Sequence, residues 1–222
     1  LSYEIAHNLT FSTNFGYNST SNGQKNYIPI RAQDPIYNPT GMAFFGTNTN
    51  MNWIIEPQIN YSLKLGEGKL TALVGASLQK TITRGAGTLG TGYENDEFIE
   101  SINLAQQSST TENQGYYKYA AVFGRINYNW QDKYIINING RRDGSSRFGP
   151  GNQYGNFGSL GAAWLMSNED WIKDHLPSFI SFMKLRGSYG LTGSDGVGDY
   201  QYLTKWSKNP AGTVWYDYDG ST

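Results

Sequence analysis

The chain has 222 residues, a formal net charge of -1, no cysteine, 27 glycines and a heavy aromatic load of 17 Tyr, 10 Phe and 6 Trp. Near-neutral charge without a Lys/Arg run gives no footprint for nucleic acid, and the missing thiols exclude disulfide frameworks and thiolate metal sites. No apolar run approaches the ~18 residues of a transmembrane helix, but a membrane strand hides half its polarity in a lumen, so this composition suits a β-barrel.

In chain order, Leu9, Phe11, Phe15 and Tyr17 alternate with Thr10, Ser12, Asn14 and Gly16, which predicts a first strand. Residues 18–49 read as loop, dense in Asn, Ser, Thr, Gly and Pro. From Met51 to Leu65 the alternation is cleanest, with Pro57 implying a bulge or an unpaired position. A tight turn at Gly66-Glu67-Gly68-Lys69 leads into a strand with Leu70, Ala72, Val74, Ala76 and Leu78 on its apolar face. Residues 81–114 read as a second long loop, with a short helix expected over Asn95–Gln107 behind an acidic start.

Two strands then flank the polar break Gln131-Asp132-Lys133. The first places Ala120, Val122, Gly124, Ile126, Tyr128 and Trp130 in one row, and the second Tyr134, Ile136, Ile138 and Gly140. Their other faces are rich in Asn and Arg. A loop near 143–153, a strand from Tyr154 to Trp164, a capped short helix within Ser167–Phe179, a strand around Met183–Tyr189 and an aromatic loop over 192–222 complete the series.

The apolar rows end in aromatics: Tyr128, Trp130 and Tyr134 beside the short turn, with Trp53 and Trp164 as further girdle candidates. Connections alternate long and short, as in barrels with long loops on one membrane face and short turns on the other. The expectation is an all-β antiparallel meander of about seven long strands, one part of a large transmembrane barrel of about 22 strands. An isolated piece would leave two unpaired edges, which lipid does not tolerate. The chain opens on Leu1 without an export signal, which predicts either a mature chain or, in keeping with the open edges, a piece of a longer protein.

The ordered set of a tyrosine-rich strand, the Asp132-Lys133-Tyr134 turn, the loop RRDGSSRFG from Arg141 to Gly149, a strand ending in Trp164 and the run KLRGSYGLTG from Lys184 to Gly193 resembles the barrel region of SusC/RagA-type TonB-linked outer-membrane proteins. The resemblance spans Asn127–Trp171 and Met183–Gly193; the rest of the chain matches in style only. It implies an active importer of glycans, oligosaccharides or peptides in the outer membrane of a Gram-negative, Bacteroidetes-type bacterium. It also implies an N-terminal plug, coupling to TonB and a SusD-like surface lipoprotein as partner.

Within that frame, Arg141, Arg142, Asp143, Gly144, Ser145, Ser146 and Arg147 read most simply as a charged turn bent at Asp143-Gly144. By alternation Arg141 faces the lumen and Arg142 the outer rim, placed to snorkel toward anionic outer-membrane lipid or lipopolysaccharide. Tyr200, Tyr202, Trp206, Trp215, Tyr216 and Tyr218 are candidates for contact with a glycan or peptide ligand, since such rings stack on sugars and peptides alike; loop packing is the plainer reading. His7 and His175 lack ligand spacing, and the glycines of GAGTLGTG lack the Lys-Ser/Thr of a phosphate cradle. Asp217-Tyr218-Asp219-Gly220 resembles the end of a calcium loop but has Trp215 where the first carboxylate belongs. No catalytic arrangement, cofactor site or metal site is expected. A passive porin and a soluble, secreted carbohydrate-binding or adhesin module are the alternatives to an importer.

Overall fold

A computed structural model describes residues 1–175, 177 and 179–203, and the backbone of Trp206–Lys208 and Val214–Tyr216. Eight strands form one antiparallel meander in which every strand pairs with its sequence neighbour: β1 (Ser2–Ala6), β2 (Leu9–Ile28), β3 (Gly41–Leu65), β4 (Gly68–Tyr93), β5 (Gln107–Trp130), β6 (Tyr134–Ser145), β7 (Tyr154–Leu165) and β8 (Lys184–Leu191). A four-residue helix, α1 (Asp170–Lys173), lies between β7 and β8, and the short strands β9 (Trp206–Lys208) and β10 (Val214–Tyr216) pair with each other.

Meander and turns follow the alternation, but strand lengths do not. β1 is an additional short strand, paired with β2 through Ser2 and Ser12. β2 continues to Ile28 and β4 to Tyr93, through stretches that read as loop. Their Thr, Ser and Asn side chains signal turns when read singly, yet here they bond across strands: Thr88 with Thr110 at 2.9 Å, and the Asn50 amide to the Thr83 hydroxyl at 3.2 Å. GAGTLGTG is therefore strand, not loop. The helix expected over Asn95–Gln107 is two 3-10 turns, Asp96–Phe98 and Ile102–Leu104. Its acidic start serves another purpose, because the Asp96 carboxylate accepts from the Ile30 backbone N–H at 2.6 Å. β3 runs through Pro57 as one strand.

The polypeptide divides into two compact units. One comprises residues 16–53 and 80–116 and has a small core of its own. Tyr93, which is fully buried, packs there with Ala43 and Ile99, flanked by Phe45 and Ala105.

The other unit comprises residues 1–15, 54–79 and 117–222, and its sheet is coloured the reverse of a soluble protein. Across β5, β6 and β7, Ile126, Ile138 and Leu160 fall in one register row, with Gly124, Gly140 and Gly158 in the next along the same face. This apolar face is the exposed one: Val122 is 61% and Leu160 57% accessible. Leaving such side chains in water forfeits roughly 1.5–3 kcal/mol each, so the face requires an apolar covering. The shielded face is polar. Asn127 donates its amide to Asn137 at 2.6 Å, and Asn139 donates to Ser159 at 3.1 Å.

The β5–β6 turn is tight because Gln131 and Asp132 both adopt left-handed backbone, with φ of 52° and 53°, and the Lys133 N–H closes on the Trp130 carbonyl at 2.9 Å. Positive φ at both central positions is the primed geometry whose twist matches paired strands, with Lys133 the third residue between the paired Trp130 and Tyr134. Asp132 tolerates it by accepting from the Asn129 amide at 2.5 Å.

Glycine and aromatic residues work together in this sheet. At Gly68 a Cβ would lie 2.7 Å from the Tyr128 ring and 2.8 Å from the Asn129 carbonyl oxygen, whereas at Gly140 it would meet nothing within 4 Å. Gly68→Ala in the full-length protein is expected to destabilise the barrel by about 1–3 kcal/mol, while Gly140→Ala leaves it unchanged. The heat-induced loss of the fast-migrating folded band on gels compares the two.

Candidate functional site

Two clusters of side chains stand out in the larger unit. The first is at the short-turn end, where Trp130 and Tyr134 flank the β5–β6 turn and Tyr134 pairs with Trp164 of β7. The rings form a chain: Trp130 to Tyr134 at 5.6 Å, Tyr134 to Trp164 stacked at 6.4 Å, and Trp164 to Trp171 of α1 at 6.4 Å. Tyr128 lies beside Gly68 and donates its hydroxyl to the Leu65 carbonyl at 3.1 Å. Trp53 stands half-buried in mid-β3, away from that end of the strand.

Sequence reading missed the residue that ties this girdle together. Glu169, 7% exposed, accepts from the Tyr134 hydroxyl at 2.6 Å and the Trp164 indole N–H at 3.0 Å, and pairs with Lys133 at 3.2 Å. It occupies the N-cap of α1 but makes no capping bond, so the Ser-Asn-Glu-Asp signature marks the turn without revealing the carboxylate's partners. The hydrogen bond from Tyr134, then that from Trp164, then Lys133 hold the Glu169 carboxyl below its usual range.

The second cluster surrounds the RRDGSSRF loop on the polar face. Phe123, Arg141 and Phe157 form one register row across β5, β6 and β7, and Arg125, Asn139 and Ser159 the next. With Leu73, Tyr117, Tyr119 and Asp195 they line an open recess of about 900 Å³. Arg141 donates from Nε to both carboxylate oxygens of Asp143 at 2.8 Å and from Nη2 to the Tyr119 hydroxyl at 2.7 Å. Arg142, one residue on, points to the apolar face, 5.2 Å from the Tyr154 ring centre. Gly144 and Ser145 are buried at the end of β6, and the Ser146 hydroxyl accepts from the Lys118 N–H at 2.9 Å.

Arg147 is the hub of the loop. Its guanidinium lies 4.4 Å from the Tyr117 ring centre, pairs with Asp199 at 2.9 Å and donates to the Asp195 carbonyl at 2.9 Å. Tyr117 donates to the Asp195 carboxylate at 2.6 Å. That bond is the main reason the Asp195 carboxyl is lowered. One cation thus straps residues 195–199 to β5. The DGSSR motif signals the bend, but Tyr117, Asp195 and Asp199 are remote in sequence and carry no local mark.

Of the proposed ligand-contact aromatics, Tyr200 and Tyr202 belong to this strapped segment, and the Tyr202 ring packs against Gly149. Trp206, Trp215 and Tyr216 contribute backbone to β9 and β10. Their side chains, and Tyr218 with the Asp217–Gly220 stretch, lie outside the described residues.

The girdle clasp carries a sign for pH. Because the Glu169 pKa is depressed in the folded state, its contribution is complete above the ordinary carboxylate range and fades as pH falls through the depressed value. Glu169→Gln is expected to melt several degrees below the parent at neutral pH and to converge with it in strong acid. Thermal melts of the full-length protein at the two pH values read this out.

The chain matches no protein-family model. It is 33% identical over 210 residues to a TonB-dependent receptor of Formosa agariphila, covering 92% of this chain and 20% of the relative. To the TonB-dependent receptor SusC of Bacteroides thetaiotaomicron it is 29% identical over 165 residues, 71% of this chain and 16% of that one. Among solved structures, that of the RagAB peptide transporter superposes with a TM-score of 0.86 at 21% identity, over 97% of this chain and 24% of that chain. The structural likeness establishes the fold. The sequence matches add the kinship, over about a fifth of the relatives' length. With its turns, inverted faces and RRDGSSRF loop in place, this chain belongs to the SusC/RagA-type TonB-dependent receptors, as a stretch of their barrel wall.

Proposed function

We propose that the whole protein is an outer-membrane importer of hydrophilic oligomers, either oligosaccharides or peptides, driven through TonB and served by a SusD-like surface lipoprotein. Its place is the outer membrane of a Gram-negative, Bacteroidetes-type bacterium. The observation that carries this reading is the inverted sheet: an apolar face that needs lipid, backed by a wall of Asn, Ser and Arg suited to a wet lumen. Kinship to TonB-dependent receptors, SusC among them, supports energised uptake over passive diffusion, and the RagAB assembly is a peptide transporter. On this reading the girdle end meets the periplasmic interface and the RRDGSSRF loop lies toward the cell surface.

Energised uptake has a direct test. Cells carrying the full-length gene are expected to accumulate labelled peptides or oligosaccharides, and to stop when TonB is deleted or the proton gradient is collapsed. Accumulation that survives both treatments would indicate a passive pore.

Arg142 is assigned to the lipid side of this wall. It stands on the apolar face beside Tyr154, while its neighbour Arg141 is occupied by Asp143 and Tyr119. Arg142→Ala is expected to lower the lipopolysaccharide that copurifies with the full-length protein, whereas Arg141→Ala leaves it unchanged. Equal retention by the two variants would remove the lipid role.

A further inference from the structure

The charges on the recess of the polar wall are unevenly placed: Arg125, Arg141, Asp143 and Asp195 line it, but they do not fall into two pairs. Of the two arginines that line it, Arg141 is neutralised by Asp143, held at 2.8 Å. Arg147 and Asp199 neutralise each other at the loop, and the Asp195 carboxylate is engaged by Tyr117. Arg125 has no such partner: among the described residues it makes no ion pair or hydrogen bond, and it is exposed to the recess. It also lies far from the anionic end, about 26 Å from Tyr117 along β5 at roughly 3.3 Å per residue.

Its surroundings are apolar on one side and polar on the other. The next row along the strands holds Phe123 and Phe157 on either side of Arg141. The Phe123 ring lies against Gly75, within 2.8 Å of where a Cβ would be, and the Phe157 ring lies against Gly155, within 2.6 Å. Laid on glycine, the rings present apolar slabs to the recess. Beside Arg125, Asn139 spends its amide on Ser159. The carboxylates that would accept the hydroxyls of a sugar are consumed in the pairs described above. Asn152, Gln153 and Thr192 also line the recess, and beside its apolar surface it presents the Arg125 guanidinium outside any ion pair among the described residues.

We propose that Arg125 anchors a carboxylate-binding subsite on the lumen wall, taking short peptides in which a carboxylate sits next to apolar side chains. The inference rests on the importer reading and adds a ligand class to it. The planar fork of Arg125 can hold both oxygens of a carboxylate, and the walls that keep bulk water from one side strengthen the attraction. Phe123, Phe157 and Leu73 take the adjoining side chains.

The test uses the full-length protein in the outer membrane and two labelled five-residue peptides of identical apolar sequence. One ends in aspartate with a free C-terminus; the other ends in asparagine amide. Wild type is expected to bind and import the acidic peptide in preference. Arg125→Gln should lose about tenfold for the acidic peptide, the loss of one charge-assisted hydrogen bond, and nothing for the neutral one, with Arg125→Lys intermediate. The folded gel band of each variant controls for barrel assembly. Equal loss for both peptides would overturn the proposal and give Arg125 a structural role, and no loss for either, or no binding of either peptide by wild type, would overturn it as well. A wild type that still imports oligosaccharides under energisation would keep the importer reading while this inference fails; a wild type that accumulates nothing would sink both.

Discussion

The constraint on which the structure depends is that backbone N–H and C=O groups in lipid must find partners within the protein, because hydrocarbon supplies none. A meander with every strand bonded to its sequence neighbour meets that demand at the lowest cost in connections. It also dictates the period of two, the tight turn at Gln131-Asp132 and the reversed colouring of the faces. Ile126, Ile138 and Leu160 are exposed not as defects but because their solvent is not water. β1 and β8 are the two edges of this sheet.

Glycine and aromatic residues are abundant for a common reason. A ring cannot lie flat on a strand that carries a side chain beneath it, so Phe123 uses Gly75, Tyr128 uses Gly68, Tyr154 uses Gly144 and Phe157 uses Gly155. Each pairing covers a bare stretch of backbone and fixes the ring's orientation. At the short-turn end Tyr128 lies on Gly68; on the polar wall Phe123 and Phe157 become the apolar slabs of the recess.

Charge is handled by the same economy at both ends. Where carboxylates are shielded, each has a donor: Glu169 has Tyr134, Trp164 and Lys133, and Asp195 has Tyr117. The first set clips α1 onto the girdle, and the second, with Arg147 and Asp199, straps the aromatic segment near Tyr200 and Tyr202 to β5. Within the recess Arg141 has Asp143, whereas Arg125 makes no ion pair or hydrogen bond among the described residues, and that contrast points to a ligand.

The alternation of Ala120 to Trp130 and Tyr134 to Gly140 was legible because a pleated strand writes its two environments directly into successive residues. The turn between them and the opposite assignments of Arg141 and Arg142 followed from the same period. Strand ends were not legible: Thr, Ser and Asn near 18–28 and 81–93 have the composition of turns, and only a cross-strand partner such as Thr110 for Thr88 makes them strand. The Asn95–Gln107 stretch is two 3-10 turns, and the partner of its Asp96, the Ile30 N–H, lies 66 residues away and was not legible either. The sequence by itself determined the class of fold, the membrane-facing pattern and the family, because these reside in local periodicity and ordered motifs. Tertiary structure alone decided the partners of Glu169, Arg147 and Asp195 and the isolation of Arg125, because pairing between side chains far apart in the chain depends on which strands the register brings side by side.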